Sequence, residues 1–187
     1  MNKRIQSATV ALLVVAGAIA IGQQSAKPVP LPAEKVVAKA KSQAAQSKKN
    51  VIVMFHASWC GWCKKLEAAM ADPKIKPIFD KSYVITYLDV LEEPSKKWME
   101  NPGAEAMLDG WKGKDQGIPF FVVMSPKGDI LGDSFMKGPD GKPTNMGCPA
   151  EPAEIDAFIA VLKRTSRLSA DDEKTLRARL GKVKSGG

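Results

Sequence analysis

The stretch Val51-Ile52-Val53-Met54-Phe55-His56-Ala57-Ser58-Trp59-Cys60-Gly61-Trp62-Cys63-Lys64-Lys65-Leu66-Glu67 decides how this 187-residue chain is read. Its first five residues form a continuous apolar run rich in β-branched side chains, the pattern of a strand buried on both faces. From Lys64 to Ala71 the composition turns helix-forming, with Leu66 and Met70 four apart on one face. Two cysteines separated by two residues stand at the junction, a spacing that lets a disulfide close across one turn at a helix start. A sulfur placed at that start sits beside unpaired backbone N–H groups and the positive end of the helix dipole. This lowers its pKa and makes Cys60 a thiolate nucleophile near neutral pH. Cys63, one turn further in, is placed to attack a mixed disulfide and release the substrate. The bare spacing would be weak; between a strand and a helix it points to thiol redox chemistry.

Working outward toward the N-terminus, Ala33, Val36, Val37, Ala40 and Ala44 recur at helical spacing among Lys and Gln, predicting an amphipathic helix over 33–49. Toward the C-terminus, Pro73 ends or kinks the helix after the cysteines, and Ile75 to Asp80 resumes it. Tyr83 to Val90 reads as a second strand. The polar stretch Glu92 to Lys112 is helix-prone. Phe120–Met124, a turn at Ser125-Pro126-Lys127-Gly128-Asp129 and Ile130-Leu131 read as a hairpin. Met136 to Glu151, rich in Gly and Pro, reads as loop. Pro152 to Arg164 reads as a helix with Ile155, Phe158, Ile159 and Leu162 on one face. Ser169 with Asp171, Asp172 and Glu173 caps a last helix to about Leu180. Helices between strands require crossovers, so part of the sheet is parallel, while the hairpin is antiparallel.

His56 to Glu67, centred on Trp59-Cys60-Gly61-Trp62-Cys63-Lys64, resembles the active-site segment of the thioredoxin-like superfamily, most closely its exported domains with this motif. Gly117-Ile118-Pro119-Phe120-Phe121 resembles the superfamily's cis-proline loop. The resemblance spans about residues 50–163. It implies an α/β thioredoxin-like fold, a central mixed sheet flanked by helices, here with an extra C-terminal helix. It also implies a cis Ile118–Pro119 bond, with the backbone of Ile118 lying against the cysteines and pairing with substrate. Cys60 and Cys63 would be the catalytic pair and their disulfide the redox centre, with no further cofactor and no metal. Trp59, Gly61, Trp62, Lys64 and His56 would modify the pair.

Three departures from the family pattern matter. Thioredoxins carry a buried carboxylate six residues before the first cysteine, and here that position is Met54. His56 or Glu67 could substitute, with His56 preferred because a histidine titrates near neutral pH; the alternative is a polar residue packed beside Trp59. The Gly61-Trp62 dipeptide offers apolar surface and no charge to stabilise a thiolate, so strong oxidising power is not indicated. The stretch between Asp89 and Pro119 is longer than in a minimal thioredoxin, and its Trp98 and Trp111 either shape a substrate groove or belong to the core.

Cys60, Cys63, Cys148 and His56 equal the four ligands of structural zinc, but the second half of such a site would be a lone Cys148, which argues against metal. Covalent haem is excluded because Lys64, not histidine, follows Cys63. Cys148 is either a third redox thiol or a semi-buried free thiol. Lys64 and Lys65 favour an anionic thiolate electrostatically and are also commonplace on an exposed helix.

Lys3 and Arg4 precede an apolar run from Val10 to Ile21, which reads as a secretory signal over 1–22 or an uncleaved membrane anchor. A proline-alternating linker occupies 23–32, the thioredoxin-like domain 33–164 and a basic helical extension 165–187. The expected location is an exported compartment, the periplasm if the cell is Gram-negative. The net charge of +8 is unevenly spread: residues 50–162 hold twelve lysines against sixteen acids, while the excess of positive charge lies in the flanking segments. That distribution gives the domain no nucleic-acid footprint and leaves room for membrane association through the N-terminal segment. The expected function is an exported thiol–disulfide oxidoreductase, reducing or exchanging disulfides of exported proteins and recharged by a membrane or soluble thiol partner. The rival reading is a redox-locked binding or chaperone module with little turnover.

Overall fold

The computed structural model describes residues 28–184. The predicted signal or anchor over 1–22 and the first part of the linker lie outside the described residues. Among the described residues no helix is long and apolar enough to cross a membrane.

The elements run α1 (Ala33–Ser47), β1 (Asn50–His56), α2 (Gly61–Met70), α3 (Lys76–Asp80), β2 (Tyr83–Asp89), a 3-10 turn (Pro94–Met99), α4 (Ala104–Gly110), β3 (Phe120–Met124), β4 (Ile130–Asp133), β5 (Phe135–Lys137), β6 (Pro143–Asn145), α5 (Pro152–Thr165) and α6 (Ala170–Leu180). Four strands form one sheet in the order β2-β1-β3-β4. β1 runs parallel to β2, and β3 runs antiparallel to both β1 and β4. The fold is thus α/β and thioredoxin-like, with a mixed central sheet between helices.

β1 is buried on both faces, as its unbroken apolar run dictates. Its odd residues Val51, Val53 and Phe55 join Phe120 and Val122 in a core closed by α1 and α4. Its even residues Ile52 and Met54 join Leu66, Phe121, Val123 and Phe158 in a core closed by α2, α5 and α6. Phe55, Phe79, Phe120, Phe121 and Phe158 are all fully buried, each stabilising the fold by about 1.5–3 kcal/mol relative to exposure. The basic C-terminal segment shares this core, with Leu176, Leu180 and Val183 buried in the α5 cluster. Its first turn is closed by the capping box of Ser169 and Asp172.

Two stretches differ from the sequence reading. The helix-prone segment 92–112 divides into the 3-10 turn and α4, because Pro102 and a left-handed Gly103 (φ 83°) interrupt it. The segment read as loop over 136–151 contains the β5–β6 hairpin, three residues per strand, with Phe135 opposite Asn145. Such short strands show no alternation, and Pro143 sits at a strand start where its missing N–H is tolerated. Trp111 belongs to the core, edge-on to Phe55 at 5.6 Å, whereas Trp98 is exposed.

Candidate active site

Cys60 ends the β1–α2 corner in an extended conformation and is the N-cap of α2. Its Sγ accepts a hydrogen bond from the Cys63 backbone N–H at 3.1 Å, which satisfies one of the orphan donors of the helix start. Cys60 and Cys63 are joined by a disulfide, with their Cα atoms 5.3 Å apart. Both are buried, in a small cluster with Ala57 and Ile118. The Ile118–Pro119 bond is cis, and the Ile118 carbonyl oxygen lies 3.6 Å from Cys60 Sγ. The structure therefore brings Cys60, Cys63, Ile118 and Pro119 together.

The flanking residues take distinct positions. Trp59 is half exposed, its indole N–H donating to the Leu91 carbonyl at 2.7 Å. Trp62 is also half exposed, with the Lys65 ammonium 4.5 Å from its ring centre. Gly61 and Lys64 are exposed, and nothing lies within 4 Å of where a Gly61 side chain would begin.

His56 closes β1 on the Met54 side of the sheet. Its Nδ1 lies 2.7 Å from Glu67 Oε1 and its Nε2 3.3 Å from Asp89 Oδ1. The ring lies tilted at 41° against Tyr87, with centroids 5.2 Å apart. Burial lifts the Asp89 carboxyl above its ordinary range, and the His56 ring works against that lift. Burial also raises the Tyr87 phenol, with the Glu67 carboxylate adding to it. Glu67 stands four residues after Cys63 and so on the same face of α2. A row of ionisable side chains thus runs from the Cys63 face of α2 through Glu67 and His56 to Asp89. Position 54, opposite Tyr87 in the sheet, is an apolar, fully buried methionine.

Two side chains that the sequence did not single out hold the loops around the disulfide. Glu92 is only 3% exposed, and its carboxylate accepts the Ser58 N–H at 2.5 Å and the Ser58 hydroxyl at 2.7 Å. Asn145, from β6, donates its amide to the carbonyls of the cis-proline loop. Beside that loop lies a pocket of about 360 Å³, lined among others by Trp62, Ile118, Pro119, Asn145 and Cys148. Cys148 is a free, buried thiol. Burial, with help from the Glu154 carboxylate, pushes its pKa up to about 11, which disfavours the thiolate. Among the described residues, no group of His, Cys, Asp and Glu is arranged to hold a metal ion.

The sequence profile of the thioredoxin-like family matches residues 33–126, and the chain belongs to that family. It carries the fold of a thioredoxin-like thiol–disulfide oxidoreductase, with a CxxC disulfide at the site.

Among solved structures, it is similar to a disulphide isomerase from Xylella fastidiosa Temecula1 (21% identity, 57% of this chain and 80% of that chain, TM-score 0.45). It is also similar to the oxidised C-terminal domain of DsbD from Neisseria meningitidis (15% identity, 74% and 99%, TM-score 0.43). A mutant thioredoxin from Halobacterium salinarum NRC-1 matches at 16% identity over 76% and 95%, with a TM-score of 0.40. No curated protein sequence matches the chain.

Proposed function

We propose that this protein is an exported thiol–disulfide oxidoreductase that reduces or exchanges disulfides of exported proteins. The observation that carries the reading is the placement of Cys60 Sγ at the α2 N-cap, disulfide-bonded to Cys63 and facing the Ile118 carbonyl. In the reduced state the Cys60 thiolate attacks one sulfur of a substrate disulfide. A Cys60–substrate bond forms, and the other substrate sulfur leaves as a thiolate that takes up a proton. Cys63 then gives up its proton and attacks Cys60 Sγ. The mixed disulfide breaks, the second substrate sulfur leaves, and the Cys60–Cys63 disulfide closes, so two electrons have passed to the substrate. His56, with Glu67 and Asp89, receives the Cys63 proton in place of the carboxylate that position 54 lacks. A membrane or soluble thiol partner returns the two electrons. The charged and apolar run at residues 3–21 supports export, with cleavage or anchoring at that segment.

The test is catalysed reduction of insulin by dithiothreitol. Wild-type protein is expected to turn over many equivalents, and Cys60→Ser to lose that activity. Full activity in Cys60→Ser overturns the enzyme reading and leaves the redox-locked binding module. Equilibration against a glutathione series then fixes the direction: a strongly oxidising couple sinks the reductase.

A further inference from the structure

We propose that Asn145 is a positioning residue that holds the cis-proline loop in the form that receives substrate; the proposal rests on the oxidoreductase reading. Loop 116–119 has no partner strand of its own, and it turns through a left-handed Gly117 (φ 79°) before the cis bond. Its carbonyls therefore need donors from elsewhere. Asn145 Nδ2 lies 3.2 Å from the Gln116 oxygen, 3.0 Å from that of Gly117 and 3.0 Å from that of Pro119. An amide nitrogen has two hydrogens, so three acceptors share them. The amide cannot be turned over, because its Oδ1 accepts the Gly147 N–H at 3.0 Å, and reversal would set oxygen against three oxygens.

The carbonyl left out of this set is that of Ile118, the one that faces Cys60 Sγ at 3.6 Å. Asn145 thus pins the peptides on either side of Ile118 and leaves the Ile118 peptide directed at the sulfur and at an incoming chain. The support is itself rigid. Phe135, paired with Asn145 across the hairpin, packs edge-on against Phe120 at 5.4 Å. The Met146 N–H donates to the Ser134 carbonyl at 2.8 Å, and the Ser134 hydroxyl accepts the Phe121 N–H at 3.2 Å. The hairpin is in this way bolted to β3, which continues directly from Pro119.

Every partner of the Asn145 nitrogen is an acceptor, so replacing the amide by a carboxyl has a specific signature. Asn145→Asp places a group there that fits only when protonated. The charged groups facing the same pocket are Glu151 at the N-cap of α5, Glu154 in its first turn and Lys184 beyond α6, with the Cys148 thiol. Lys184 is paired with Glu151, and Glu154 accepts the N–H groups of Ala150 and Glu151. The introduced carboxyl therefore gains no cationic partner of its own.

The experiment measures kcat and KM for insulin reduction from pH 5 to 8 in the full chain and two variants. Asn145→Ala is expected to lose about tenfold in kcat/KM at every pH, the factor that ~1.4 kcal/mol gives, with the loss carried by KM. Asn145→Asp is expected to lose more at pH 8 and to recover toward the Asn145→Ala value as pH falls to 5, each compared with wild type at the same pH. A wild-type kcat/KM in Asn145→Ala overturns the proposal. So does an Asn145→Asp deficit that does not change with pH. The neutral variant decides alone where the charged one does not fold. A wild type without turnover overturns the oxidoreductase reading and this proposal with it, whereas active wild type with unaffected variants overturns only the role of Asn145.

Discussion

On one side of the disulfide, the corner Ala57–Cys60 turns the Ser58 N–H and hydroxyl toward the Glu92 carboxylate. On the other side, loop 116–119 turns three carbonyl oxygens toward the Asn145 amide. Each loop lacks regular structure, and each is tied by a side chain from a later segment of the chain, the first also by Lys96, whose ammonium donates to the Ser58 hydroxyl at 3.3 Å. The chemistry is opposite because the loops present opposite groups. Donors are met by a carboxylate and acceptors by an amide. Burial differs as well: Glu92 is inside the fold, and Asn145 is half exposed in the wall of the pocket beside the cis-proline loop. A buried group left without its partner bears the full desolvation cost, whereas a group that can reach water does not. The corner that carries Cys60 is therefore the costlier one to disturb, and loop 116–119 the more adjustable.

The largest expected effect comes from breaking the buried tie. Glu92→Ala should lower the unfolding free energy by about 2–3 kcal/mol, because the Ser58 N–H loses a charged partner. Glu92→Gln, which keeps an acceptor, should lose about half as much. Urea unfolding at pH 7 measures both, and a Glu92→Ala loss under about 0.5 kcal/mol removes the asymmetry between the loops.

A smaller effect is expected from the charged side of the same corner. His56→Phe keeps an aromatic ring on Tyr87 but removes both carboxylate contacts. Resolution of the Cys60 mixed disulfide, followed by stopped flow, should slow on the order of tenfold, the low end of proton-transfer contributions. An unchanged rate assigns the proton to another acceptor.

The smallest effect belongs to the pocket wall. Cys148 holds its proton to about pH 11 in the fold, against an ordinary value of 9.0. Between those two values the folded state keeps a proton that the unfolded chain has lost, so stability falls as pH rises. Below the lower value the contribution is fully present. The urea midpoint of wild type should therefore drop more between pH 8 and 10.5 than that of Cys148→Ala. Parallel drops in the two proteins refute the assignment.

What the sequence revealed, and what it hid, follows the same division. The β1–α2 corner is legible because its signals are local: an unbroken apolar run, two cysteines one turn apart, then helix formers. The Gly117-Ile118-Pro119 loop is legible through resemblance. Glu92 and Asn145 act across 34 and up to 29 residues of chain, and no periodicity or spacing points from one end of such a contact to the other. Glu92 reads as one acid in a polar stretch, and Asn145 as one polar residue in a Gly/Pro-rich loop. Pro94 suits the first position of a helical turn and says nothing of where the Glu92 carboxylate goes. The hairpin that presents Asn145 has strands too short to alternate. His56 could be suspected from its type, but its two carboxylate neighbours come together only when α2 and β2 pack around β1.

The hydrogen bond from the Cys63 N–H to Cys60 Sγ gives the reactive sulfur a second duty. The atom that fastens the first turn of α2 is also the atom that changes partner at every stage of turnover. Disulfide, thiolate and mixed disulfide differ in how well they accept that bond, and the thiolate accepts it best. The protection of the Cys63 amide against hydrogen exchange should therefore rise and fall with the redox state of the pair, an isotopic readout of catalysis from the backbone itself.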